Sequence, residues 1–289
     1  ILFTHSSISI YFRKARFNSI QEVSVGGVSL KVMDLSASQE FTPRLEYLPE
    51  IGSTNTYLLE LAGSFDVPDF SVVLTDNQTA GRGRMDRVWE ADKGKALAVS
   101  VYFKPEDISI EAFSWFPLLA GLAMQKAVSS LIPVGVSLKW PNDVLVNGEK
   151  ISGILAELLP DGKSVVVGAG LNLTQEKAEL PIPTATSLAL QGVTGFSLDD
   201  VLVRYLAALK NLYLDFCEAG GDPESSGLLD QVLAVSSTVG REVEVMLPDG
   251  SVFSGHAAGL DNQGRLLVAL SNPVEIRAVA AGDIKHLRQ

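Results

Sequence analysis

Three arginines within six residues, Arg82, Arg84 and Arg87, stand beside Gly81 and Gly83 just after the strand-like run Ser71–Thr75. The glycines give the backbone freedom and let a ligand approach the main chain, while a guanidinium offers a planar fork of donors to a carboxylate or a phosphate. The chemistry that such a stretch can do is anion binding. Taken alone it is equally a solvated loop with a charge run, because short Gly/Arg patterns are weak signals.

A second stretch gives the first a partner. Lys139-Trp140-Pro141-Asn142-Asp143 precedes Val144-Leu145-Val146, the turn pair Asn147-Gly148, and a run that carries Lys150 and Gly153. Asn142 and Asp143 are turn formers after a proline, and also potential nucleotide and metal contacts. Lys150 is an exposed lysine after a hairpin turn, or a cation placed against a ligand. Gly168-Ala169-Gly170-Leu171-Asn172 follows within the next strand-like run.

With these blocks in order, the chain resembles the biotin protein ligases. The resemblance rests on Gly81-Arg82-Gly83-Arg84 with Trp89, on Lys139 to Asp143, on Lys150 with Gly153, and on Gly168 to Asn172, and it covers residues 45 to about 270. It implies formation of biotinyl-5′-adenylate from biotin and ATP with Mg²⁺, then transfer to a lysine of a biotin carboxyl carrier domain of an acyl-CoA carboxylase or a pyruvate carboxylase. Lys150 and Arg84 would be catalytic, Lys150 reaching the biotin carboxylate and the α-phosphate. Ser53, Thr54, Asn55, Gln78, Gly81, Arg82, Arg84, Lys150 and Gly153 would bind biotin. Arg82, Arg84, Trp89, Asn142, Asp143, Gly168, Gly170 and Asn172 would meet the nucleotide. Asp143 would face Mg²⁺ indirectly. One departure is Asp86, where many members of the family have glycine; an acid there puts loop closure in question. A lipoate ligase is the competing enzyme and a biotin-responsive DNA-binding repressor the competing regulator; a binding module without catalysis is a third reading, opposed by Lys150.

The elements that must position these residues are legible in outline. Ser53-Thr54-Asn55 predicts a capped helix to about Ala62, since side-chain oxygens there accept from free amides of the first turn. Ala96–Phe103 reads as a buried strand, and Pro117 and Leu118 open a helix through Leu131. Strands over 137–140, 144–146, 151–158 and 164–173 predict a largely antiparallel meander, its 144–146 and 151–158 pair closed by Asn147-Gly148. With helices on one face this is an α+β domain. Leu198–Phe216 is an amphipathic helix. Short runs at 242–247, 252–260, 266–270 and 274–279 with tight turns predict a small barrel, and the resemblance implies an SH3-like one. The expected domains are 41–230 and 236–289, after an N-terminal extension over 1–40 that is disordered or non-native. That extension fits a transit-type leader, or an upstream piece ahead of an initiating Met33; the second is favoured. It is too short for the winged-helix domain of some family members.

Composition narrows the function. The net charge is −11 over 289 residues, which opposes non-specific nucleic-acid binding. No apolar run reaches the ~20 residues needed to span a bilayer, so neither nucleic acid nor membrane is an expected partner. The single cysteine, Cys217, is expected to be a buried small hydrophobe and suits a reducing, cytoplasmic compartment. No zinc-ligand spacing occurs among His5, His256 and His286.

Overall fold

Two compact units make up the chain, Ile1–Leu35 and Ser36–Gln289, and the computed structural model describes residues 20–25, 28–85 and 87–287. In the first unit, β1 (Ile20–Val25) and β2 (Val28–Met33) pair antiparallel. The remainder of the expected extension, and Asp86, lie outside the described residues.

The second unit is built on a seven-stranded sheet in the order β3-β4-β7-β11-β10-β9-β8. Its strands are β3 (Leu45–Tyr47), β4 (Ser71–Thr75), β7 (Ala96–Phe103), β8 (Val136–Lys139), β9 (Asp143–Val146), β10 (Glu149–Leu158) and β11 (Val165–Asn172). Only β3 and β4 run parallel; the other neighbours are antiparallel. Every residue of β4 and β7 is buried, the mostly apolar runs together with the polar Ser71, Thr75 and Ser100, as befits central strands covered on both faces. Asn147 and Gly148 take φ of 51° and 84°, the left-handed pair that a two-residue hairpin between β9 and β10 demands. The hairpin β5 (Gln78–Arg82) and β6 (Val88–Ala91) stands apart from this sheet.

Paired residues share a face, so Gly153, Gly170 and Ala98 lie on one side, with Leu155, Gly168 and Ser100 beside them. Ile154, Ala169 and Val99 point the other way. Against that second face packs α2 (Phe116–Ser129), apolar nearly all round, with the long amphipathic α3 (Leu198–Glu218) behind it. Gly121 of α2 meets Leu138 and Ile154. α2 with α3 is the expected helical layer on one face; α1 (Thr54–Ser64), also expected as a helix, packs instead on the opposite face. Leu58 of α1 joins Val67, Val73, Tyr102, Leu159 and Val166 over one end of the glycine face. The middle of that face is left without a helix.

After α4 (Leu228–Val235), five strands form a second, antiparallel sheet in the order β15-β14-β13-β12-β16. They are β12 (Glu242–Met246), β13 (Val252–Leu260), β14 (Leu266–Ser271), β15 (Val274–Val279) and β16 (Asp283–His286). Among the described residues no pairing of β15 with β16 closes it into a barrel. Two buried tryptophans fix it to the first sheet: Trp115 Nε1 donates to the Asn262 carbonyl at 2.8 Å, and Trp140 Nε1 to that of Gly264 at 2.9 Å. Cys217 is half-buried rather than buried, because it sits at the end of α3; burial pushes its thiol up to about 11.

Candidate active site

A cavity of about 980 Å³ lies over the open part of the glycine face. Strands β8 to β11 form its floor, the β5–β6 hairpin one wall, and β16 with Arg241 and Ser237 another. Six cationic side chains line it, Arg82, Arg84, Arg87, Lys139, Lys150 and Arg241, against two carboxylates, Asp143 and Asp283. In a chain of net charge −11 this is a local excess of positive charge.

Lys150 reaches the floor through a backbone irregularity. The β10–β9 register shifts between Lys150 and Ser152. One extra residue at that point turns Lys150 onto the face of Gly153, which regular alternation would deny it. Its ammonium lies 2.7 Å from Asp143 Oδ1. Its backbone is clamped on both sides, N–H to the Thr184 carbonyl and carbonyl to the Thr186 N–H, each 2.8 Å. A Cβ on Gly153 would stand 3.2 Å from the Lys150 ammonium, so glycine there keeps the lysine flat on the sheet.

The neighbouring glycines admit protein groups. A Cβ on Gly170 would come within 2.1 Å of the Trp89 ring, and one on Gly168 within 2.3 Å of Asn55 Oδ1. Trp89 thus lies on Gly170 with its buried indole N–H unpartnered. An approach of nucleotide to the main chain at Gly168, as the resemblance implies, would need the Asn55 amide to leave. Asn172 is also spoken for: its buried amide donates to the Thr186 carbonyl at 2.8 Å and accepts from Gln175. It borders the cavity as a tie between β11 and the 184–188 loop.

The hairpin arginines each have a resident partner. Arg84 Nη1 donates to Asn142 Oδ1 at 3.0 Å, and Asn142 Nδ2 in turn donates to the Ile154 carbonyl at 2.9 Å. Burial lowers the Arg84 pKa from the ordinary arginine value, with Asp283 and Asp143 opposing the shift. Arg87 pairs with Asp283, and Arg82 with Glu157 at 2.8 Å. Three neighbouring guanidinium groups repel one another, and here that repulsion is offset by acids and an amide far away in the chain. Gly81 pairs with Trp89 across the hairpin, where a Cβ would collide with the Trp89 carbonyl at 2.3 Å. Gln78 Oε1 accepts from the Thr54 N–H at 2.9 Å, which ties the hairpin to the first turn of α1. Ser53 caps that turn, accepting from the Thr56 N–H at 3.4 Å.

Sequence reasoning missed the wall supplied by the second sheet. Asp283, Ile284 and His286 of β16, with Arg241, line the cavity, and four residues with one apolar side chain give no strand signal. Lys139, in the sequence only the first residue of a motif, lines the cavity, and burial lowers its pKa. Burial, helped by Lys139 and Arg241, pushes His286 down to about 4, and its Nε2 lies 3.3 Å from Thr238 Oγ1. A histidine depressed in the fold binds its proton more readily when unfolded, so it costs stability as pH falls from 6.5 towards 4. Over that window the melting temperature of the native protein is expected to fall faster than that of His286→Gln. Parallel melting profiles would show that His286 titrates as it does in the unfolded chain.

The fold and this cavity define a class before they define a member of it. Residues 47–172 match the family described as "Biotin/lipoate A/B protein ligase family", and residues 238–287 match "Biotin protein ligase C terminal domain". The chain is 38% identical over 248 residues to a biotin–[acetyl-CoA-carboxylase] ligase of Mycobacterium tuberculosis, covering 85% of this chain and 90% of that one. It is 31% identical to the bifunctional ligase/repressor BirA of Bacillus subtilis over 83% of this chain and 73% of BirA. The biotin protein ligase of Aquifex aeolicus in complex with biotin and ATP superposes with a TM-score of 0.69 at 26% identity, covering 86% of this chain and all of that one. The chain belongs to the biotin protein ligase family.

Proposed function

We propose that the chain is an ATP-dependent biotin–[biotin carboxyl carrier protein] ligase. The observation that carries this reading is the cavity's excess of cations over carboxylates, centred on Lys150, in an acidic member of this family. Its relatives are named for biotin ligation to acetyl-CoA carboxylase, and a related structure holds biotin and ATP.

Adenylation brings two anions together. A biotin carboxylate oxygen attacks the α-phosphorus, the bond to the β-phosphate oxygen breaks, and pyrophosphate leaves with the electron pair. The enzyme needs no nucleophile of its own; it must hold the anions together and stabilise charge on the phosphoryl oxygens. In this reading Lys150 bridges the carboxylate and the α-phosphate, and Arg84 caps them from the hairpin. Gly153 seats the biotin ring, with Ser53, Thr54 and Gln78 at its head. Asn142 and Trp89 face the nucleotide, Trp89 after leaving Gly170. In the second step the acceptor amine attacks the acyl carbonyl, loses a proton, and AMP departs.

Magnesium accepts a few protein carboxylates and brings its own water and phosphate ligands. Asp143 and Asp283 are acids of the cavity wall that fit that modest demand, and among the described residues no group of three metal-ligating side chains holds an ion without substrate. The ion would supply charge neutralisation on the polyphosphate. The acceptor's identity, pyruvate carboxylase included, and a cytoplasmic place, which the lone cysteine suits, belong to this proposal. So do a catalytic domain over 41–230 and a C-terminal one over 236–289. Among the described residues no helix is long and apolar enough to cross a membrane.

Purified protein given biotin, ATP, Mg²⁺ and a carrier domain is expected to release pyrophosphate and to label one carrier lysine. No pyrophosphate release on adding biotin would refute the reading. Faster turnover with lipoate would move the chain to the other branch of the ligase family; the match to a biotin ligase C-terminal domain favours biotin.

A further inference from the structure

Glu157 sits at the far end of β10 from Lys150, on the same face as Gly153 and Leu155. Its carboxylate collects two unrelated elements. Arg82 Nη2 lies 2.8 and 3.0 Å from its two oxygens, and Asn55 Nδ2 donates to Oε2 at 2.9 Å. Arg82 Nη2 also lies 3.2 Å from Thr56 Oγ1. Asn55 is 4% exposed and fully engaged: its Oδ1 accepts from Ser100 Oγ at 2.6 Å and its Nδ2 reaches the Leu155 carbonyl at 3.2 Å. The same amide fills the space over Gly168. One carboxylate therefore joins the hairpin, the first turn of α1 and the cavity floor.

An exposed ion pair alone contributes little. This one shares its acid with a buried amide, whose orientation is otherwise set only by Ser100 and a long contact to a backbone carbonyl. Without the carboxylate a buried N–H group loses its shorter partner, and the hairpin loses an anchor on the sheet.

We propose that Glu157 is a positioning residue. It holds the β5–β6 hairpin through Arg82 and sets the Asn55 amide beside the biotin end of the cavity. Arg82 thereby acts as a brace for the hairpin and not as a ligand of phosphate. The inference rests on the proposed function for its effect on biotin, and on the ligand-free protein for the brace itself.

Two readouts separate these. In ligand-free protein, amide hydrogen exchange of residues 78–82 and 88–91 is expected to quicken on the order of tenfold in Glu157→Gln and equally in Arg82→Gln, the loss of one charge-assisted contact. With biotin and ATP, both variants are expected to raise the KM for biotin and the off-rate of the adenylate about tenfold, with kcat and the KM for ATP within about twofold of wild type. The double variant is expected to be no worse than Glu157→Gln, because that variant has already lost the Arg82 contact as well as the one to Asn55. If the wild type makes no adenylate while exchange still quickens in both variants, the brace stands and the proposed function falls. Wild-type exchange in both variants would overturn the proposal. A multiplicative double variant would too, as would an adenylation defect in Arg82→Gln that Glu157→Gln does not share. Should Glu157→Gln fail to fold, the exposed Arg82→Gln decides on both readouts.

Discussion

Lys150→Ala is expected to slow biotinyl-adenylate formation at least about tenfold in a single turnover, and towards a thousandfold if the closed site excludes water. A charge-assisted contact is worth about 1.5–3 kcal/mol, and a preorganised donor aimed at developing charge costs about 10²–10³ in rate when removed. Lys150 is preorganised in three ways: the shifted register of β10, the clamp on its backbone, and Asp143 at 2.7 Å. The substitution leaves Asp143 without its cation, so Lys150→Ala with Asp143→Asn is the control for local repulsion. If the double variant recovers the rate, Lys150 serves to neutralise Asp143 and not the substrate. Circular dichroism is expected to match the wild type, because Ile151 and Ser152, the buried residues that follow, are untouched. An unchanged single-turnover rate would make Lys150 a surface lysine.

How Lys150 comes to face Gly153 was not legible in the sequence. The alternation of β10 assigns the two residues to opposite faces, and only the pairing with β9 reveals the extra residue between them. What was legible depended on local signals. Ala96–Phe103 is apolar but for Ser100 and is β7 to the residue. Asn147-Gly148 dictates its own turn, and Ser53 caps α1 as its side chain requires. Features fixed by distant partners were silent. Arg82 and Glu157 are 75 residues apart, and Arg87 and Asp283 are 196 apart. β16 has one buried apolar residue, Ile284, and takes its strand form from β12 beside it. The hairpin looks like a loop in the sequence because its glycines and charges outweigh its short β-forming stretches, Gln78-Thr79 and Val88-Trp89. The resemblance named fourteen of the residues that line the cavity but not their contacts, Gly81 lies outside the lining, and Gly168 and Asn172 are occupied by the protein's own side chains.

Arg84→Ala is expected to make adenylate and then to lose it. The guanidinium stands between the hairpin and the floor, bonded to Asn142 Oδ1 at 3.0 Å and reaching the Gly282 carbonyl at 3.5 Å. Burial already disfavours its charge, so an anion in the cavity is the partner that repays its desolvation. Biotinyl-adenylate brings a phosphate to that position, and closure of the hairpin over it would keep water from the anhydride. Removing one charge-assisted bond of about 1.5–3 kcal/mol speeds dissociation about ten- to a hundredfold. Adenylation itself falls less, since Lys150 remains. The released mixed anhydride acylates any exposed lysine, so bystander proteins in the mixture are expected to acquire biotin in proportion to their accessible amines. Hydrogen exchange across residues 78–85 completes the test: ligand is expected to protect this stretch in the wild type and to protect it less in the variant. A wild-type adenylate off-rate in Arg84→Ala, together with equal protection with and without ligand, would show that the hairpin neither closes on the intermediate nor holds it through Arg84.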